Sequence, residues 1–184
     1  MGWWQAAAVI ALVGALHVPL GDYMARVRWR PALAAGEADL PAGRHRRHRR
    51  PAWPAYLRSL LAVSGLGIVL LYLLLRLQAQ LPFSLGHPGM SPALAFDTAV
   101  SFTTNTSWQN YSGEATLGYL AQVAGLGVQA FLSAGVGLAA ALALIRGLTR
   151  RETDRVGNFW VDLTRSVTRV LLPIAVLSGM LLAQ

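Results

Sequence analysis

A polar stretch at residues 103–114 separates two apolar segments and most constrains how this chain can fold. The apolar segment before it, residues 92–102, is too short to cross a bilayer, whereas the segment after it, residues 115–145, is long enough. A polar loop between a half-crossing and a full crossing is typical of a re-entrant loop. Irregular backbone persists at membrane depth only where it is buried in protein or lines a wet cavity. The pattern therefore predicts a pore or an ion site at residues 103–114.

The composition indicates a membrane protein and excludes several kinds of catalytic site. Of the 184 residues, 54% are hydrophobic and 13% are charged, and the mean hydropathy is +0.44. Without cysteine, the chain has no thiol nucleophile and no thiolate metal site. All 16 basic residues are arginine, so a Walker A lysine and a Schiff-base lysine are also excluded. We expect no catalytic site and no bound nucleotide in this chain.

The apolar runs predict an all-α membrane protein with four spans. The first is expected to have its N-terminus outside, with Trp3 and Trp4 in the outer aromatic belt. The last ends at Gln184 without a polar flank, so we expect it to be truncated. The predicted segments are a first span at 1–24, an Arg-rich cytoplasmic linker at 25–56, a second span at 57–77, an external loop at 78–91, a pore helix and its loop at 92–114, a third span at 115–145, a cytoplasmic loop with an interfacial helix at 146–166 and a fourth span at 167–184.

The distribution of arginine supports this topology. Among the 16 basic residues only Arg76 falls on the predicted outer side. The densest run, residues 44–50, is best interpreted as a cytoplasmic topology signal that also contacts anionic lipid headgroups. Nucleic-acid binding is disfavoured because no aromatic residues interleave the charges. A metal site at His45 and His48 is disfavoured because the surrounding arginines would repel a cation.

Residues 92–102 read as a pore helix. Ser91 and Pro92 supply an N-terminal cap and a proline at the first helical position. A helix that runs to about Phe102 would be roughly 16 Å long, about half the hydrocarbon thickness. Asp97 would be costly against lipid, so its face of the helix is expected to meet protein. The negative C-terminal end of this half-helix points into the polar loop and favours cations there.

The loop itself offers neutral oxygens on consecutive residues. Backbone carbonyls assisted by hydroxyl groups can replace the hydration shell of a potassium ion without holding it too tightly. The candidate potassium ligands are Thr104, Asn105, Thr106, Ser107 and Gln109.

The residues that follow are expected to support the loop. Trp108 and Tyr111 would form a cuff that holds the loop rigid, while Ser112, Gly113 and Glu114 lie at the start of the next helix. For Glu114 two interpretations stay open: an acidic group stabilised by the helix N-terminus, or an outer attractor for cations.

Two further patterns concern the segments after the loop. Small residues recur every four positions in the third span, a spacing that permits close helix packing. Gln122 and Gln129 share one face of that span, as pore-lining groups or as hydrogen-bonding contacts between helices. Farther on, Phe159 and Leu163 lie at helical spacing opposite Asp162, which predicts an amphipathic helix at the membrane interface.

Residues 104–114 resemble the first selectivity-filter segment of the KdpA family, the potassium-binding subunits of bacterial Kdp potassium-transporting ATPases. The family pattern is close to T-N-T-N-W-Q-G/S-Y-S-G-E, and this chain departs from it at Ser107 and Asn110. Resemblance extends over nearly the whole chain, through flanking motifs such as Gly157-Asn158-x-Trp160-Val161-Asp162, and is weakest in the linker.

This resemblance implies a fold, a function and partners. The implied fold is an N-terminal span followed by one helix–pore loop–helix repeat of a potassium-channel-like fold. The implied function is potassium binding and translocation by a non-catalytic subunit in the bacterial inner membrane. Its implied partners are small accessory subunits and a P-type ATPase catalytic subunit. Two alternatives stay open: a structural or anionic-lipid-binding membrane module, and a homotetrameric channel with one filter loop per chain.

Overall fold

A computed structural model describes residues 3–34, 53–149 and 156–182. Within these residues the chain consists of helices and their connecting segments, without a strand. The chain divides into two compact units, Met1–His48 and Arg49–Gln184. Three helices of the described residues are long and apolar enough to cross a membrane: Trp53–Gln80, Ala121–Thr149 and Phe159–Met180. The predicted all-α membrane fold is therefore confirmed.

The first unit contains one long helix, α1, at Trp3–Ala34. It covers the predicted first span and continues into the segment predicted to be linker. The added segment is rich in alanine and arginine, which favour helix, so its composition gives no reason to stop at residue 24. Residues 35–52 of the predicted linker, including the arginine run at residues 44–50, lie outside the described residues. The last four residues of the predicted linker, 53–56, belong to the next helix, which begins earlier than predicted. Membrane crossing by α1 and lipid contact by the linker stay predictions.

The second unit holds the remaining helices. Its α2 ends at the predicted residue, and its α3 is a half-length helix at the predicted position. The helices are α2 at Trp53–Leu77, a 3-10 turn at Gln78–Gln80, α3 at Pro92–Thr103, a single turn α4 at Gly113–Thr116, a π-helical stretch at Ala121–Gly127, α5 at Val128–Thr149, α6 at Phe159–Ser166, a second π-helical stretch at Val167–Leu171 and α7 at Leu172–Leu182.

A compact core holds the half-helix α3 in place. Ala95 and Ala99 of α3 are fully buried, and their small side chains let the helix lie close to α2. Leu71 and Leu75 of α2 belong to the same cluster, and Phe102 joins it near the end of α3. The full helix, the half-helix, the polar loop and the second full helix thus follow one another in the predicted order.

The third span does not begin at the predicted residue. The helix that starts at Gly113 ends after one turn, because Leu117 adopts an extended conformation with φ −119° and ψ 137°. A Cβ on Gly118 would lie 2.6 Å from the carbonyl oxygen of Phe83, and the Tyr119 amide donates to that same oxygen at 3.0 Å. The backbone at Phe83 and Ser84 therefore occupies the space that a continuous helix from residue 115 would need.

A buried glutamine joins the external loop to this break. Gln78 is 1% exposed, and its Nε2 donates to the carbonyls of Pro88, at 2.6 Å, and Thr116, at 3.0 Å. One side chain in the 3-10 turn after α2 thereby holds both the loop before α3 and the single turn α4.

Residues 159–182 correct a second prediction. The sequence pattern predicts an interfacial amphipathic helix that leads into a span from residue 167, and the helix continues without a break from α6 to α7. Phe159 and Leu163 pack inside the bundle against Tyr56 and Ala139. Asp162, expected on the opposite face, is 5% exposed.

The burial of Asp162 has a clear physical cause. Arg146 donates two hydrogen bonds to its carboxylate, at 2.5 and 2.9 Å, and a third to the carbonyl of Val156 at 3.0 Å. The hydroxyl of Tyr56 lies 3.2 Å from the same carboxylate and also donates to the carbonyl of Ala139 at 2.7 Å. A buried charge persists when it is paired and hydrogen-bonded in this way. Arg146 therefore links α5 to α6, beyond its predicted part in the topology.

Candidate functional site: the loop after the half-helix

The start of α3 agrees with the sequence-based expectation. Ser91 is extended, and its Oγ accepts a hydrogen bond from the Leu94 amide at 3.4 Å, with Pro92 at the first helical position. The helix ends at Thr103, one residue beyond the predicted end. Its length corresponds to about 18 Å, so it brings its C-terminus roughly to the middle of a bilayer-sized layer.

The end of α3 is a Schellman cap. The Thr106 amide donates to the carbonyl of Ser101 at 2.9 Å, and the Asn105 amide donates to that of Phe102 at 3.4 Å. Asn105 has φ +60°, the left-handed conformation that this cap requires and that asparagine tolerates better than most residues. The asparagine that stands shortly after the predicted helix end is a sequence signal for this cap, and the sequence-based prediction missed it.

The backbone conformation alternates along the next residues. Thr104 has φ −86°, Asn105 +60° and Ser107 +56°, while Thr106 between the last two has negative φ. Alternating right- and left-handed residues turn successive peptide planes the same way, so their N–H groups gather on one side and their carbonyls on the other. This alternation places the loop's carbonyl oxygens in a row.

The hydrogen bonds of the loop show which of its backbone groups face the end of α3 and which face away from it. The amides of Thr106 and Ser107 both donate to the Ser101 carbonyl, at 2.9 and 3.2 Å, so the N–H side faces the end of α3. Residues 104–110 are exposed in this chain, and no hydrogen bond within the described residues uses the carbonyls of residues 104–107. These four oxygens therefore face away from the helix and are free to bind a ligand.

The side chains of Thr104 and Asn105, unlike their backbone carbonyls, are engaged in hydrogen bonds within the protein. The Thr104 hydroxyl lies 2.9 Å from the carbonyl of Val100 and 3.1 Å from the Thr106 hydroxyl, so it caps the helix end. The Oδ1 of Asn105 accepts a hydrogen bond from the Ser133 hydroxyl of α5 at 3.2 Å. For Thr104 and Asn105, the free group is thus the backbone carbonyl, not the side chain.

Gln109 lies apart from this row. It lines a cavity of about 30 Å³ between α3 and the loop, a volume that is enough for one water molecule. Asp97 lines the same cavity but is exposed in this chain, so the described residues do not provide the protein cover expected for it. The lining residues are Leu94, Asp97, Thr98, Trp108, Gln109 and Asn110.

The two aromatic residues hold the loop in different ways. The Tyr111 hydroxyl lies 3.1 Å from that of Thr98, and its ring packs against the core beneath α3. Burial raises the pKa of Tyr111, and the hydrogen bond with Thr98 partly offsets that rise. The indole of Trp108 is 62% exposed, whereas its backbone N–H and carbonyl are both bound to the Ser101 hydroxyl. This chain therefore fixes Trp108 through its backbone.

The end of the loop is held by local contacts and by the π-helical stretch that leads into α5. The Ser112 hydroxyl donates to the carboxylate of Glu114 at 3.1 Å in the single turn α4. Gln122 donates to the carbonyls of Gly113 and Leu117, both at 3.1 Å. Gln129, by contrast, packs over Gly67 of α2. The two glutamines therefore serve separate contacts between elements instead of lining one cavity.

Comparison with known proteins gives a consistent result. A family model described as "KdpA: Potassium-transporting ATPase A subunit" matches residues 7–184. A protein of Kineococcus radiotolerans is 52% identical over 98% of this chain, one of Mycolicibacterium vanbaalenii 51% over 96%, and one of Clavibacter michiganensis subsp. michiganensis 48% over 97%. Each is named "Potassium-transporting ATPase potassium-binding subunit". The chain covers 33%, 32% and 32% of these relatives, about a third of their length.

Proposed function

Because the chain belongs to the KdpA family of potassium-transporting ATPases, we propose that its loop at residues 104–109 is one segment of a potassium-selective filter. The carbonyl oxygens of Thr104, Asn105, Thr106 and Ser107 are the proposed ligands. Gln109 contributes an amide beside the ion path. The row of unused carbonyls that face away from α3 is the observation that carries this proposal.

The chemistry of the loop suits potassium. Neutral carbonyl oxygens can replace the ion's hydration water while still allowing its release, whereas a carboxylate cage would favour divalent ions. The C-terminal end of α3 points at the loop with its partial negative charge, which further favours a cation there. The amides on the other side of the loop are occupied by Ser101, so they do not offer an anion site in competition.

This chain supplies only part of the proposed ion site. Its carbonyls face away from its own helices, and the chain covers about a third of its relatives. In the proposed assembly, further loops complete the cage. Small accessory subunits and a P-type ATPase catalytic subunit complete a bacterial inner-membrane complex, with the N-terminus of this chain outside.

A matched pair of variants at Ser107 tests the proposal. Ser107→Gly keeps the carbonyl and readily adopts φ +56°, whereas Ser107→Val keeps the carbonyl but strains that conformation. The assay uses a complete complex whose potassium-binding subunit carries this segment. We expect Ser107→Gly to keep the KM for potassium within about threefold of the parent value. Ser107→Val should raise the KM about tenfold or more, which corresponds to a strain of at least ~1.4 kcal/mol.

The two outcomes separate carbonyl coordination from other roles of the loop. Equal loss in both variants would assign the contact to the serine hydroxyl. Unchanged uptake affinity in Ser107→Val would remove the loop from the ion path and leave a structural role for it.

A further inference from the structure

We propose that Ser101, which lies outside the predicted filter residues, is the positioning residue that fixes the path of the loop from Thr104 to Trp108 and thereby its ion discrimination. The link to ion discrimination rests on the proposed filter function. The contacts between Ser101 and the loop do not.

The backbone carbonyl of Ser101 gathers the first part of the loop. It accepts hydrogen bonds from the amides of Thr106, at 2.9 Å, and Ser107, at 3.2 Å. The Thr104 hydroxyl donates to the same oxygen at 3.2 Å. An ordinary Schellman cap uses this carbonyl for one amide only, whereas the Ser101 carbonyl accepts from two amides and one hydroxyl.

The side chain of Ser101 then extends the contact to Trp108. Its Oγ donates to the Trp108 carbonyl and accepts from the Trp108 amide, each at 3.0 Å. One hydroxyl thus satisfies both polar groups of a single residue and holds its peptide planes in two places. Ser101 is 5% exposed, so bulk water has little access to replace these bonds.

The contacts made by the Ser101 carbonyl and by its hydroxyl together restrain the loop carbonyls that lie between Thr104 and Trp108. The peptides after Asn105 and Thr106 carry the amides bound to the Ser101 carbonyl, and Trp108 is bound to the Ser101 hydroxyl. Peptide planes fixed on their N–H side cannot rotate freely, so their oxygens resist closing around an ion smaller than potassium. Loss of the hydroxyl should release the Trp108 end of the loop first and leave the bonds at Thr106 in place.

Amide hydrogen exchange on this chain in lipid nanodiscs tests the contact directly. We expect Ser101→Ala to accelerate exchange of the Trp108 amide about five- to thirtyfold, the effect of one or two lost hydrogen bonds, with a smaller change at Thr106. Ser166→Ala is the matched control, because Ser166 is 2% exposed and its hydroxyl has no partner within the described part of the chain. This control should leave Trp108 exchange unchanged.

A second variant separates the hydroxyl from general packing. Ser101→Thr keeps the hydroxyl, and its Trp108 amide should exchange within about twofold of the parent rate if that group provides the protection. Unchanged protection in Ser101→Ala, or equal loss in Ser101→Ala and Ser101→Thr, would overturn the assignment.

Transport in the complete complex tests the consequence for ions. Ser101→Ala should raise the KM for potassium about tenfold, and sodium should inhibit uptake at lower concentration, while kcat stays within about twofold. Faster Trp108 exchange with unchanged KM and sodium inhibition would overturn the positioning role. If Ser107→Val raises the KM for potassium and Ser101→Ala does not, the positioning role of Ser101 is rejected while the filter proposal stands. If uptake is normal in Ser107→Val, the filter proposal itself is rejected.

Discussion

Arg146 of α5 and Asp162 of α6 form a bidentate ion pair, with hydrogen bonds of 2.5 and 2.9 Å, near the end of α5 that lies away from the loop at residues 104–109. The side chain of Asp162 is 6% exposed, so it depends on this partner and on Tyr56 for its stability in the interior. The pair fixes the third predicted span to the helix that follows it.

Removing one member of this pair should destabilise the fold more than removing both. Asp162→Leu leaves the Arg146 guanidinium partly buried and unpaired, and we expect it to lower the free energy of unfolding by about 3 kcal/mol. The double variant Arg146→Leu/Asp162→Leu removes both charges and should recover most of that loss. Thermal unfolding in detergent, followed by circular dichroism, measures both. A double variant less stable than Asp162→Leu would contradict the ion-pair explanation.

Gly118 should be intolerant of even one added methyl group. A Cβ there would lie 2.6 Å from both the Phe83 oxygen and the Ser84 Cα, which are backbone atoms that cannot move aside cheaply. Gly118→Ala should lower the melting temperature by several degrees, a loss of about 1–3 kcal/mol.

Gly65 of α2 provides the matched control for that change. A Cβ at Gly65 would meet nothing within 4 Å. Gly65→Ala should therefore leave the protein as stable or raise its stability by up to about 1 kcal/mol, because alanine favours helix over glycine. Equal destabilisation by both variants would show that the loop at Phe83 does not set the requirement.

Both corrections to the predicted fold come from contacts between distant parts of the sequence. The start of α3 was predictable because Ser91 and Pro92 act locally, and the end of α2 followed from hydropathy alone. The break at Leu117 depends on the loop at Phe83 that lies against Gly118, and Gly118 by itself does not predict that contact.

The same distinction explains the burial of Asp162. An isolated helical pattern places it on a polar face, and only the approach of Arg146 and Tyr56 makes its burial favourable. At the candidate site, the residue types of the loop indicated neutral oxygens. The identity of Ser101 as the residue that holds them required the backbone course, because a serine within a half-helix gives no such signal by itself.

A fixed positive charge beside the loop should weaken potassium uptake. Gln109→Arg places a guanidinium next to the proposed ion path, and we expect the KM for potassium to rise at least about tenfold through charge repulsion. Gln80→Arg adds the same charge on an exposed residue of the turn that follows α2 and should change the KM little. Uptake assays over a range of potassium concentrations distinguish the two. Unchanged affinity in Gln109→Arg would count against the filter assignment.

The isolated chain should bind potassium weakly. Its row of carbonyls is open on the side away from α3, so a bound ion would keep most of its hydration water. Titration calorimetry with potassium chloride against the purified chain should show a dissociation constant no tighter than the millimolar range, about 4 kcal/mol of binding free energy. A micromolar site would contradict a filter shared among several loops and would favour a channel built from copies of this chain.

The hydrogen bonds from the loop amides to Ser101 also determine at which stage the loop becomes ordered. Their hydrogen bonds form as the chain folds, so the carbonyl dipoles on the opposite side of the same peptides are oriented before any cation arrives. A cation that reaches this face meets an electric field already in place, and little of its binding energy is spent on rearranging the backbone. In the proposed filter, rapid exchange of ions would therefore be compatible with selective contact, because neither would have to wait for the loop to fold.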